Sequence, residues 1–357
     1  MNALGSRIAS LIASQGPIPI AEYMTLALLD PVAGYYATRE PIATDFITAP
    51  EVSQMFGELI GLWLAQCWHD QGKPKRPLLV ELGPGRGTLM ADALRAMKLM
   101  PEFRDQLEVV LVEASPVLAA QQRKMLADSG AAVRWAGGFE MLPKDRPLFL
   151  VANEFFDALP IRQFVKTGRG WNERMVTAQG NGTLGFALSP VAVPAANVPA
   201  NRDGAPPGGV YETSPAGESL VEAIAHAIAA NGGAALIIDY GYAEPGFGET
   251  LQAVKSHSFA DVLGDPGAVD LSAHVDFTAL GDAAARGGAS VYGPIAQGEL
   301  LHALGIDARA QVLAARNPKM RDKLNAQIER LCNLDQMGEL FKAIAIVPKN
   351  APTPPGF

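Results

Sequence analysis

The stretch LLVELGPGRGTLM, residues 78–90, decides the fold. Its first five positions, 78–82, form an apolar run with one acid and read as a buried strand. Gly83, Gly85 and Gly87 then turn the chain, and Thr88 opens a helix expected over 88–97. A strand that runs through glycines into a helix is the first half of a βαβ unit. The same alternation continues outward. Residues 109–113 read as a second strand, 133–136 as a third, 148–153 as a fourth and 234–239 as a fifth. Between the second and third, Ser115 and Pro116 mark a helix start, with the serine as cap and the proline inside. A helix over 215–231 precedes the fifth strand, and 290–292 and 340–347 are candidates for the last two. Short strands separated by helices imply a mostly parallel sheet with helices on both faces, an α/β doubly wound fold.

Before this alternation the chain reads as helical. Residues 50–68 carry Val52, Met55, Phe56, Leu59, Ile60, Trp63, Leu64 and Cys67 on one face, with Pro50 and Glu51 suited to the start. Residues 1–70 are therefore expected to form an N-terminal helical section and lid. Residues 71–160, 211–247 and 288–348 form the core, with a hairpin and loop insertion at 161–210 and an accessory substrate region at 248–287. NAPTPPGF, ending at 357, reads as a free tail.

Composition narrows the function. Hydrophobic residues make up 48% of the 357, enough for a large core, but no apolar run reaches membrane-spanning length. The N-terminal stretch lacks the pattern of a secretory signal and reads as a helix packed on the body. A net charge of −8 without a basic block argues against a nucleic-acid partner. Two cysteines and five scattered histidines give neither a disulfide framework nor a metal site, and a reducing, cytoplasmic setting fits.

In a doubly wound sheet, ligands bind at the carboxyl ends of the strands where strand order reverses. The glycine turn, with Glu81 before it, is the natural seat. Its spacing is G-x-G-x-G, neither the dinucleotide fingerprint nor a phosphate-cradling loop. Glu113, at the end of the second strand, suits ribose hydroxyls. Glycines followed by that acid suggest a nucleoside ligand without a pyrophosphate, and S-adenosylmethionine fits.

The fourth strand ends in VANEFFDALP, residues 151–160. Asn153, Glu154, Phe156 and Asp157 are expected where a cofactor methyl meets its acceptor. Methyl transfer to nitrogen is an in-line displacement, which requires a positioned nucleophile and excluded water. Asn153 offers a carbonyl to an N–H group, and Phe156 an aromatic face to a cation or planar substrate. Glu154 and Asp157 suit a guanidinium, which they could hold by charge-assisted hydrogen bonds and relieve of a proton.

These motifs resemble one family closely: the MidA-type proteins, which include a mitochondrial complex I assembly factor and are class I protein arginine methyltransferases. The resemblance rests on GYYATRE (34–40), DFITAPEVSQMFGELIG (45–61), ELGPGRGTL (81–89), NEFFDALPIRQF (153–164), IDYGY (238–242), TLQAVKSH (250–257) and PGAVDLSAHVDF (266–277). It implies a Rossmann-like, seven-stranded methyltransferase core with an N-terminal helical section and inserted substrate-binding elements. It implies S-adenosyl-L-methionine as cofactor. The acceptor it implies is an arginine in a protein, a core subunit of NADH dehydrogenase for the mitochondrial members and an equivalent in bacteria. Gly83, Gly85, Gly87 and Glu113 carry over as cofactor contacts, and Glu154 and Asp157 as active-site acids. Relatives in eukaryotes would lie in the mitochondrial matrix. The sequence departs from many class I enzymes after the third strand, where AGGFEMLP places Phe139 rather than an acid against the adenine.

Asp45 and Phe46 are candidates for a lid, Tyr36 for the pocket wall and His257 for a substrate contact. Asp270 reads as the cap of a helix beginning near Ser272. Asp239 and Tyr240, at the end of the fifth strand, could face substrate. Two further functions stay open: transfer to another amide or amine, and a cofactor-binding assembly chaperone with little turnover. A nicotinamide-dependent oxidoreductase is disfavoured by the glycine spacing. Oligomeric state, a homodimer included, is left open.

Overall fold

A computed structural model of the chain describes residues 2–38, 47–180, 182–194, 198, 204–244, 246–255 and 258–357. The chain divides into two compact units. One takes residues 47–156, 218–243 and 275–357, and the other 1–46, 157–217 and 244–274.

The first unit is built on a seven-strand path: β1 (Leu78–Leu82), β2 (Glu108–Val112), β3 (Val133–Ala136), β4 (Leu148–Asn153), β5 (Gly233–Tyr242), β6 (Ser290–Ala296) and β7 (Phe341–Val347). Their order across the sheet is β6-β7-β5-β4-β1-β2-β3, and the short strand Val275–Asp276 adds to β5. All pairs from β3 to β5 are parallel, while β7 runs antiparallel to both neighbours. Strand order reverses between β1 and β4, which lie side by side with Leu82 opposite Ala152. Both strands are buried throughout, as expected of a sheet covered on both faces.

Six helices of this unit matter below: α1 (Ala49–Val52), α2 (Gln54–Asp70), α3 (Thr88–Ala96), α4 (Pro116–Met125), α5 (Pro215–Asn231, which enters from the other unit) and α6 (Phe277–Arg286). The single helix expected over 50–68 is two, because Ser53 adopts an extended conformation. Its hydroxyl then accepts from the Met55 amide and caps α2. Nor does α2 group with the rest of the N-terminal section expected over 1–70, since residues 47–156 belong to the first unit and 1–46 to the second. Met55, Phe56, Ile60, Trp63 and Leu64 are buried in the core of the first unit. A Cβ on Gly61 would come 2.6 Å from the Ala93 Cα, so α2 and α3 approach closely only because Gly61 lacks one.

Two other expectations are corrected here. The C-terminal residues pack instead of trailing. Trp63 Nε1 donates to the Pro355 carbonyl at 3.0 Å, and Phe357 lies against the core cluster. A tail with one aromatic and an acceptor for a buried indole has a reason to dock. The helix after residue 270 begins at Phe277, and its cap is Asp276, whose side chain accepts from the Ala279 amide.

The second unit holds a five-stranded antiparallel sheet: Ile18–Pro19, Arg162–Thr167, Gly170–Ala178, Leu184–Ala192 and Val210–Thr213. Val210–Thr213 pairs with Arg162–Thr167, so it belongs to this sheet and not to the core assigned to it from sequence. A three-stranded sheet joins Gln252–Lys255, Ser258–Ala260 and Asp270–Ser272. The helices Ala3–Gln15 and Ile20–Leu29 bury Leu4, Ile8, Ile12, Tyr23 and Met24 in this unit's core.

Candidate active site

The glycine turn leaves β1 with three left-handed residues: Gly83 at φ 60°, Gly85 at 52° and Gly87 at 87°. Only glycine adopts such a run cheaply, which accounts for the alternation seen in the sequence. The turn is held from three sides. The Gly83 amide donates to the Val112 carbonyl at 3.1 Å. A Cβ at Gly83 would come 2.6 Å from the Phe155 ring, so the turn and the segment after β4 touch. On α4, Gln122 is fully buried and uses its whole amide. Nε2 donates to the Gly85 carbonyl (2.7 Å) and to Glu113 Oε2 (3.0 Å), while Oε1 accepts from Trp135 Nε1 (2.8 Å). One side chain thus fixes the turn, the acid after β2 and strand β3. Nothing in the sequence singles it out among QQRK.

Glu113 is half-buried, and its Oε1 also accepts from the Ser115 amide at 2.7 Å. Burial holds its carboxyl above the usual range despite those hydrogen bonds. Glu81 lies deeper, 3% exposed, and burial together with the charge of Glu113 pushes its carboxyl up to about 8. One of its oxygens, Oε2, is buried with no hydrogen-bond partner among the described residues.

At the end of β4, Asn153 Nδ2 donates to Glu154 Oε1 at 3.0 Å, and the Ala49 amide donates to the same oxygen at 2.8 Å. Asn153 is 8% exposed, and its Oδ1 has no partner among the described residues. Glu154 holds a left-handed backbone, φ 51°, rare for a residue with a Cβ and a mark of local strain. That conformation is held by Asp239 on β5. Its Oδ2 accepts from the Phe155 and Phe156 amides at 3.0 and 2.8 Å, and its Oδ1 from the Tyr240 amide at 2.9 Å. Asp239 has no exposed surface, so it is a support for this loop and not the substrate-facing group the sequence suggested.

Other sequence candidates divide as follows. Phe156 is 3% exposed, and the aromatic set on the glycine turn is Phe155. A pair of adjacent phenylalanines cannot both face one way, and the sequence did not say which would. Phe139 opens a short 3-10 turn after β3 and is half-buried. Asp157 falls in the second unit, where its carbonyl accepts from the Ala273 amide at 2.9 Å. In that unit the Tyr36 hydroxyl donates to Asp270 Oδ1 at 3.0 Å. Burial, then Asp270 and Asp157, raise the Tyr36 phenol well above its ordinary value. Asp45, Phe46 and His257 lie outside the described residues.

The arrangement suits an adenosyl ligand. It combines a turn whose three glycines leave the backbone open to close approach, a carboxylate one strand away for a diol, and a buried amide oxygen with no donor among the described residues. A seven-strand path with an antiparallel β7, carrying that turn at its switch point, defines a class I methyltransferase. The comparisons agree. Residues 59–295 match the family model described as "Putative S-adenosyl-L-methionine-dependent methyltransferase". The chain is 36% identical to the mitochondrial protein arginine methyltransferase NDUFAF7 of Xenopus tropicalis, over 98% of this chain and 86% of that protein. It is 37% identical to the human protein of the same name, over 94% and 81%. It also resembles the crystal structure of a Burkholderia thailandensis protein bound to S-adenosyl-homocysteine, with TM-score 0.86 and 30% identity, covering 99% of this chain and 94% of that one. The chain belongs to this family and is an S-adenosylmethionine-dependent methyltransferase. No helix among the described residues is long and apolar enough to cross a membrane.

Proposed function

We propose that this enzyme methylates an arginine nitrogen in a protein, a core subunit of respiratory complex I or its bacterial equivalent, and so supports assembly of that complex. The observation that carries the reading is Glu154. A strained acid, clamped by Asn153 and the Ala49 amide, stands at the strand end beside the glycine turn. The names of relatives at 36–37% identity supply the acceptor class.

In this reading Gly83, Gly85 and Gly87 lie along the cofactor, Glu113 takes the ribose hydroxyls, and Phe139 lies against the adenine. Glu81 backs the turn as a neutral acid. Bound S-adenosylmethionine supplies an electrophilic methyl group on a cationic sulfur. Asn153 Oδ1 accepts a hydrogen bond and orients its donor. Glu154 holds the guanidinium by charge-assisted hydrogen bonds, steers positive charge away from the attacking nitrogen and takes up the released proton. Asp157, three residues on, is the second acid of this proposal. The protein works in the bacterial cytoplasm, as its relatives do in mitochondria.

The test is transfer from methyl-labelled cofactor into cell extract or purified complex, followed by site mapping. Label is expected on arginine, and Glu154→Gln should bind S-adenosylhomocysteine yet lose transfer by at least roughly a hundredfold. Label confined to lysine, an amide side chain or a small molecule would overturn the acceptor, and full turnover by the variant would remove Glu154 from the chemistry.

A further inference from the structure

Helix α1 is only four residues long, yet it touches both halves of the candidate site. Its first amide, from fully buried Ala49, donates to Glu154 Oε1 at 2.8 Å. Two residues later, Glu51 Oε1 accepts from the Thr88 hydroxyl at 2.5 Å, at the first position of α3 directly after the glycine turn. Glu51 Oε2 lies 3.7 Å from Arg86 Nη1, inside the turn itself. From behind, Gln327 Nε2 donates to the Val52 carbonyl at 2.7 Å, and the Ser53 hydroxyl donates to Gln327 Oε1 at 3.0 Å. The short helix is therefore fastened on both sides.

The glycine turn needs such a fastening. Three left-handed glycines lose more backbone freedom on folding than any other residues would. Gln122 holds the middle of the turn and Phe155 its start. At the far end Gly87 is the N-cap of α3 and has no side chain with which to cap it. A carboxylate bonded to the Thr88 hydroxyl stands at the positive end of the α3 dipole, a favourable charge that Gly87 does not bring.

We infer that Glu51 is a positioning residue of this active site: through Thr88 and Arg86 it sets the glycine turn for the cofactor, on the same short helix whose first amide holds Glu154. This rests on the reading of the turn as the cofactor seat. Glu51 acts through the turn and does no chemistry itself. Its hydrogen bond to Thr88 carries most of the effect, because the Arg86 pair is long and Arg86 is exposed.

The experiment is calorimetric titration of S-adenosylhomocysteine into the wild type, E51A, E51Q, T88V, E51A/T88V and E113Q. Loss of the Thr88 contact should raise Kd roughly tenfold in E51A and in T88V, as expected for one hydrogen bond to a charged group. The double variant should bind no worse than either single one, since both remove the same bond. E51Q keeps an oxygen for Thr88 and should return Kd to within about threefold of wild type. A merely structural role would weaken E51A and E51Q alike and would make the losses multiply in the double variant. Either result, or a wild-type Kd in E51A, overturns the inference. Should E51A fail to fold, T88V must show the loss alone, because valine keeps the shape of threonine. E113Q separates the two layers. If it binds weakly while E51A and T88V bind normally, the role of Glu51 fails and the cofactor seat stands. If E113Q binds as the wild type does, the seat itself is wrong and the inference falls with it.

Discussion

Replacing Glu81 with glutamine should flatten the fall in stability that the wild type shows between about pH 6 and pH 8. The folded protein holds this carboxyl's proton up to about 8, against an ordinary value of 4.5, because the group is buried and lies near Glu113. Between those values the native state binds more protons than the unfolded chain. The stabilisation is therefore fully present below the unfolded value and is lost as pH rises through the folded one. At about 1.4 kcal/mol for each tenfold in proton affinity, the whole gap from 4.5 to about 8 amounts to ~5 kcal/mol. Of this, ~2 kcal/mol falls between about pH 6 and pH 8, where the unfolded carboxyl is ionised and the folded one still carries its proton. Glutamine keeps the shape and an acceptor for the Met90 amide but has no proton to lose. Urea unfolding followed by tryptophan fluorescence measures the difference, since Trp63 and Trp68 are both buried in this unit. Wild type should lose ~2 kcal/mol more than E81Q across that interval. Parallel curves for the two proteins would refute the claim that Glu81 is kept neutral by its surroundings.

Asp239→Asn puts an amide where three backbone N–H groups converge, so at least one buried donor meets another donor. It should cost about 2–4 kcal/mol in denaturant unfolding and lower kcat more than it raises the Kd for cofactor, because the loop it holds carries Glu154. Removing residues 354–357 deprives Trp63 Nε1 of its acceptor and uncovers the surface beneath Phe357. The truncated protein should lose about 2 kcal/mol, read by thermal unfolding, with a red-shifted Trp63 emission. Unchanged stability would mean that the tail does not dock.

Much of this architecture is legible in the sequence because it is local. Three of the strands, 78–82, 133–136 and 148–153, and the helix Pro215–Asn231 match their expected bounds, as does the Ser115 cap. In each case the apolar run or cap lies within the segment it specifies. What stayed hidden depends on partners far away in the chain. Asp239 serves amides 83 and 84 residues before it, and Gln122 reaches back 37 residues to Gly85. No periodicity marks either one. The break at Ser53 was hidden for another reason. The apolar face continues through it, and only the serine's own hydrogen bond, satisfied in an extended conformation, shows that a cap outweighed the helix. The pairing of Val210–Thr213 with the second unit's sheet was equally invisible, since four residues of strand-like character carry no address.

The conformation at position 154 also bears on how this lineage can change. A left-handed backbone costs a glutamate on the order of 1 kcal/mol or more, and costs glycine essentially nothing. On backbone conformation alone the position favours Gly, so the acid is held here by the hydrogen bonds its side chain takes from Asn153 and the Ala49 amide and, in the function proposed above, by its chemistry. A descendant freed from that chemistry would trade this strain for two unanswered donors, one of them the fully buried Ala49 amide, so the glutamate is expected to outlast its catalytic use.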